Sequence, residues 1–343
     1  MAYSSIVKPS SYFNTKLFTG NGGTQAVTGV GFQPDWVWLK SRSVADSPIL
    51  FDAVRGATKR LMSNAASAES TEAQEVQSFD SDGFTVGNSD NANRSGATMV
   101  GWNWKAGTTG SGNTGGSGTY KAYSYSVNTT AGFSIVKYVG NGTGGHTIPH
   151  HLGVAPSNVI IKDISASNSW ISKMKGYDGY LYLNNSDAGT SNSTWLPTDA
   201  NNLTLANTWG AYNTNDATYI AYCFAEKTGY SKFGSYTGNG NADGSFIYTG
   251  GKPAWVMIKK TNDTHAWRIY DGVRDTHNLT EKILEANTSN AEATSGTYVL
   301  DLVSNGFKFR GNGDGVNGSG QSFIYMAFGQ TLVGSNNIPA TAR

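Results

Sequence analysis

The chain has 343 residues, of which 14% are charged, and a formal net charge of +1. An average soluble protein carries roughly 25% charged residues; here 43 glycines and 12% aromatics take up the difference. Disordered chains are rich in charge and poor in aromatics, so this composition excludes them and points to folded, loop-rich β structure. No cluster of Lys and Arg is present to hold a phosphate backbone, so no nucleic-acid partner is expected.

Residues 1–13, "MAYSSIVKPSSYF", lack a basic stretch followed by an apolar one, so no signal peptide is expected. No apolar run approaches the roughly 18 residues of a membrane helix, so no membrane insertion is expected. The single Cys223 excludes an intrachain disulfide framework and a Cys-rich zinc site. It lies in "YIAYCFAEK" and reads as a small core residue.

In chain order, the first signal is "TGNG" at 19–22, which returns as "VGNG" at 139–142 and "TGNG" at 237–240. Asn-Gly tolerates positive φ cheaply, so each copy is expected to be a hairpin turn joining the first two strands of a unit. Next come "GFQPDWVWLKS" (31–41), "GVAPSNVIIKD" (153–163) and "GGKPAWVMIKK" (250–260). Pro34, Pro156 and Pro253 follow the Asn of each turn by 13, 15 and 14 residues, and each apolar run ends in Lys40, Lys162 or Lys259. Such fixed spacing marks a triplicated unit. Trp36 and Trp38 alternate with Val37 and Leu39, which makes both faces apolar, as in a central strand of a sandwich.

The first and third copies then share Asp-x-Val-Arg, at Asp52/Arg55 and Asp271/Arg274, where the middle copy reads "KGYDGYLYLNN" (175–185). A short helix is expected around 279–286. "DSDGFTVG" (80–87) and "VSNGFKFRG" (303–311) are turns entering aromatic strands; the middle copy shows no such turn. Each unit closes on an apolar strand, "ATMVGWNWK" (97–105), "TYIAYCFAE" (218–226) or "SFIYMAFGQ" (322–330). The expected fold is all-β: three tandem β-sandwich units, jelly-roll or lectin-like, at 13–107, 131–228 and 229–331. A Gly/Ser-rich flexible linker is expected at 108–130 and a polar tail at 332–343.

Few residues point to chemistry. Asp52 with Arg55, and Asp271 with Arg274, read as internal ion pairs that clamp a loop. "HTIPHH" (146–151) lacks the ligand set of a zinc site, and "GNGDGVNGSG" (311–320) lacks the carboxylates of a calcium loop and reads as a flexible apical loop. No metal, no cofactor and no catalytic residues are expected, since neither a nucleophile elbow nor a placeable pair of carboxylates is present. Of the nine tryptophans, Trp36, Trp38, Trp102, Trp104 and Trp255 fall in apolar strands and read as core. Trp170, Trp195, Trp209 and Trp267 stand in polar, loop-like surroundings and are the candidates for stacking on a sugar or anchoring a partner.

Taken together, "YFNTKLFTGNGGTQAVTGVGFQPDWVWLKSRS", "FDAVRGATKRL", "NTTAGFSIVKYVGNG", "YIAYCFAEKTGYSKFGSYTGNG" and "KPAWVMIKK" resemble a tandem-repeat domain family of tailed bacteriophages, especially phages of marine bacteria. The resemblance runs from about residue 8 to residue 330 and implies a virion structural protein. The expected role is a tail-fibre or tail-associated adhesin that binds host-surface glycan or protein. The alternative is a capsid decoration or adaptor docking on other virion proteins, and a polysaccharide depolymerase is a distant third. A homo-oligomer, with a trimer as the guess, follows from the way fibres assemble.

Overall fold

The computed structural model describes residue 6 and residues 8–331; the tail expected at 332–343 lies outside the described residues. Its first third forms strands β1 (Phe13–Thr19), β2 (Gln25–Thr28), β3 (Trp36–Ser41), β4 (Ile49–Asp52), β5 (Gly56–Met62), β6 (Ser70–Thr71), β7 (Val76–Asp80), β8 (Gly83–Val86) and β9 (Thr98–Trp104). They make an antiparallel six-stranded sheet in the order β1-β9-β3-β4-β5-β6 and a three-stranded sheet in the order β2-β8-β7. The same order returns at the C-terminal end. There Ser231–Thr237, Ser322–Thr331, Gly251–Lys260, Arg268–Asp271, Lys282–Glu285 and Ala293–Thr294 form a six-stranded sheet beside a three-stranded one. In the middle third, Phe133–Val139, Thr218–Phe224, Asn158–Asp163, Ile171–Lys173, Gly179–Tyr182 and Thr190–Ser191 repeat it again.

Each larger sheet buries both faces, against different things. Val37 and Leu39 of β3 pack with Val27, Phe84 and Val86 of the small sheet beneath them. Trp36 and Trp38 point the other way, into a core shared with Phe133, Tyr222, Trp255 and Phe328 of the other two repeats. The ring of Trp36 lies 4.5 Å from that of Tyr222, Trp104 lies 5.7 Å from Trp255, and Phe224 lies 5.8 Å from Phe328. Every repeat therefore touches both others through aromatics. Tilted and edge-on pairs of this kind add roughly 0.5–1.5 kcal/mol each beyond area burial.

Four local expectations are corrected by the structure. The Gly/Ser-rich stretch is ordered into strands rather than a free linker. Thr108–Asn113 pairs with Ala122–Asn128, and Gly115–Gly116 pairs with His146–Pro149. Gly110 and Gly112 face Tyr125 and Tyr123 across the ladder, and a Cβ on Gly110 would come within 2.6 Å of the Tyr125 hydroxyl. The glycines are there so that tyrosine rings can lie on the backbone. Around 279–286 there is a strand, Lys282–Glu285, wedged between Arg268–Asp271 and Ala293–Thr294, because Ile283 and Leu284 bury themselves on opposite faces. The run at 311–320 is packed down, with Val316 and Asn317 fully buried.

The fourth correction concerns the TGNG turns. β1 pairs with β9 in the larger sheet and β2 pairs with β8 in the smaller one, so the turn between them crosses from sheet to sheet and joins no hairpin. Its two glycines have separate duties. A Cβ on Gly20, Gly140 or Gly238 would fall 2.2, 2.3 or 2.3 Å from a backbone oxygen. Gly22, Gly142 and Gly240 take φ of 71°, 65° and 65°, which glycine adopts without strain.

Candidate functional site

A buried asparagine locks each crossover. The Asn93 side chain accepts from the Asn21 backbone N–H at 2.9 Å and donates to Asn21 Oδ1, Gly23 O and Gly87 O. Asn213 accepts from the Asn141 N–H and donates to Thr143 O and Asn207 O, and Asn317 binds Asn239 and Asn241 as Asn93 binds Asn21 and Gly23. All three are fully buried, and a side chain offering both donor and acceptor can bind N–H and C=O groups of the turn at once.

The Asp-x-Val-Arg copies hold repeats together. Asp52 accepts from the backbone N–H groups of Val54 and Arg55 and from Arg55 Nε, while Arg55 also donates to Leu50 O and Lys59 O. One further bond reaches Asp52 from the second repeat, the Tyr222 hydroxyl at 2.7 Å. Asp271 and Arg274 repeat this pattern in the third repeat, and there the outside donor is Trp102 Nε1 of the first repeat at 3.0 Å. Burial opposes ionisation of Asp271, but the Arg274 charge beside it prevails and holds its carboxyl below the usual range.

Of the four tryptophans expected on loops, three are sealed. Trp170 donates to Met62 O at 2.9 Å and Trp267 to Tyr182 O at 2.9 Å, so each indole of one repeat bonds the backbone of its neighbour. Trp195 is buried in the second repeat's own core and donates to Gly179 O. None of these can stack on a ligand. Trp209 alone is half-buried, its ring packed on Tyr180 and Tyr212. Trp170 and Trp267 stand at joints between repeats, a distinction that single-repeat patterning does not contain.

The histidines of 146–151 go to separate partners. His146 meets Thr114 Oγ1 at 2.6 Å, His150 meets Asp199 O, and His151 stacks on Tyr125 at 3.7 Å. Elsewhere Asp263, His265 and Asp314 bring their ligand atoms within 4.8 Å of one another. The Lys260 ammonium sits 2.7 Å from Asp314 and 3.1 Å from Asp263, so a cation of the chain itself already occupies the cluster.

One concave site lies on the third repeat. A cavity of about 300 Å³ on the third repeat is lined by Arg268, Ile283, Glu285, Thr294, Ser295 and Tyr298, among others. Arg268 is 7% exposed, lies 4.1 Å above the Tyr298 ring, and donates to Gly315 O at 3.2 Å. Glu285, its cross-strand neighbour, is held instead by Thr288 and Asn290. In the sequence the site's one signal is an Arg where the other copies carry Ile49 and Ile171.

Comparison with known proteins yields one match. No curated protein and no solved structure matches the chain. A family described as "Domain of unknown function (DUF7483)" matches residues 8–331, which take in all three repeats, both Asp-x-Val-Arg clamps and the cavity. The chain belongs to the DUF7483 family.

Proposed function

We propose that this chain is a non-enzymatic attachment module of a bacteriophage virion, in which three repeats build a rigid frame and the third carries the recognition surface. The observation that carries the reading is how unevenly the third repeat departs from the shared plan. The buried asparagines, crossover glycines and core-facing strands recur in all three repeats, as frame parts should. Of the large apolar side chains exposed among the described residues, Phe246, Tyr248, Val273 and Leu279 lie on the third repeat with the Arg268 cavity, against Val154 on the second and Tyr120 before it. Exposed aromatics and a cavity with a few polar groups on one rigid body are what recognition uses.

Binding of the purified chain to susceptible host cells tests this reading. Saturable binding, weakened by Phe246→Ser with Tyr248→Ser, supports an adhesin of tail-fibre type; a chain that ignores cells overturns it. A second reading, a decoration or adaptor protein, is favoured by the burial of Trp170, Trp195 and Trp267, which leaves few loop aromatics for glycan. In that case Phe246 and Tyr248 dock on another virion protein, and the chain rebinds particles stripped of it. Self-association into a trimer remains part of the proposal. Mass photometry checks it against the 36.4 kDa of one chain.

A further inference from the structure

The cavity on the third repeat holds a charge that folding alone gives no reason to keep. Its strand pairs Ile258 with Arg268, where the other two repeats pair Leu39 with Ile49 and Ile161 with Ile171. Two copies therefore satisfy this position with a plain apolar side chain. A nearly buried guanidinium costs several kcal/mol unless something matches it. Gly315 O and the Tyr298 ring supply partial compensation, and among the described residues no carboxylate forms an ion pair with Arg268. Glu285 stands directly across the ladder and lines the same cavity, yet Thr288 and Asn290 hold its carboxylate.

We propose that this cavity binds a hydroxyl-rich sugar acid of uronate type. Its carboxylate accepts from the Arg268 guanidinium, and its hydroxyls donate to Glu285 and meet the Thr294 and Ser295 hydroxyls. A phosphate dianion fits less well, because it would bring up to two negative charges beside the Glu285 carboxylate. The volume of about 300 Å³ accommodates one pyranose ring. The wall is fixed from behind: Glu292, two residues before Thr294, is bonded by Arg42 of the first repeat at 2.8 Å and by Arg274 at 3.0 Å. Ligand binding therefore needs little further ordering of that segment. The inference rests on the cavity and holds whether or not the chain belongs to a virion.

Calorimetric titration of the full chain with glucuronate, glucose and acetate tests the proposal, with thermal unfolding run on every variant. Arg268→Ile copies the other repeats and is expected to fold. Thr294→Trp, at an exposed rim position, fills the cavity while leaving Arg268 in place. Glucuronate is expected to bind saturably, with glucose and acetate at least about tenfold weaker. Each variant should lose about tenfold or more of the glucuronate affinity. No saturable binding of glucuronate overturns the proposal, as does acetate binding equally well, which marks an anion site only. Wild-type affinity in a folded Thr294→Trp chain overturns it too, and that arm decides alone if Arg268→Ile does not fold.

Discussion

The Tyr222 hydroxyl donates to Asp52 Oδ2 at 2.7 Å, although the two residues are separated by 170 positions and belong to different repeats. Trp102 and Asp271 make the matching bond between the first and third repeats. In register, the third joint would pair Met326 with Met174, and both methionines lie in the shared core. Where the acceptor is lost, its donor is lost with it, so the chain itself contains both a polar and an apolar version of one joint.

That pairing predicts the cost of breaking it. Asp52→Met leaves the buried Arg55 guanidinium with only the longer contact to Glu69 at 3.3 Å and should cost about 3 kcal/mol. Tyr222→Phe removes one bond to a charged group and should cost about 1.5–3 kcal/mol. The triple change Asp52→Met, Arg55→Tyr, Tyr222→Met copies the apolar joint, since Tyr177 stands three residues after Met174. Urea unfolding should place the triple variant above Asp52→Met; a triple variant as unstable as the sum of its parts contradicts the equivalence.

Asn93 should tolerate no substitution. Asn93→Ala removes the buried side chain that binds the Asn21 N–H and the Gly23 and Gly87 carbonyls, at about 1–3 kcal/mol. Asn93→Asp should fare no better, because the side-chain NH₂ group donates to three oxygens and a carboxylate donates none. Thermal unfolding of the two variants checks this; an Asp variant at wild-type stability contradicts it.

Stability should rise with pH between about 8 and 10. Lys40, Lys162 and Lys259 are buried, bond to backbone carbonyls, and are pushed by burial down to about 8. Below pH 8 each is charged in both folded and unfolded chains, so its penalty is constant. Between 8 and the ordinary lysine value of 10.5 the folded chain sheds these protons first. The unfolded state then binds more protons and stability climbs, by about 1–2 kcal/mol per lysine up to pH 9.5. Lys40→Met should remove about 1–2 kcal/mol of the lysine contribution between pH 7.5 and 9.5, read from denaturant titrations of wild type and variant at both pH values. A flat profile contradicts the assignment.

Cys223 reports on opening of the second repeat. It is fully buried, and burial pushes its thiol pKa up, so the thiolate that reacts with disulfide reagents is scarce. Native protein should resist labelling until denaturant unfolds it. Rapid labelling of the folded chain contradicts this burial.

Much of the frame was legible in the sequence because it is local. The Trp36–Leu39 alternation, the Asn-Gly turns and the offsets to Pro34, Pro156 and Pro253 all lie within one repeat. What could not be read depends on contacts between repeats. Trp36 and Trp38 face a core that exists only when three sheets meet, and Trp170 and Trp267 look loop-like because they bond the backbone of a neighbouring repeat. The TGNG crossover was misread as a hairpin because the strands beside it pair with partners more than 50 residues away. Arg268 passed unnoticed for a related reason. Only the register of the three larger sheets sets it beside Ile49 and Ile171 and shows its charge to be out of place.

Differential scanning calorimetry of the full chain tests most directly whether the repeats form one frame. A core shared by all three predicts one unfolding transition whose van't Hoff and calorimetric enthalpies agree. Three separable transitions, or a segment 229–331 that unfolds alone at the temperature of the intact chain, would show the repeats to be independent and contradict the account.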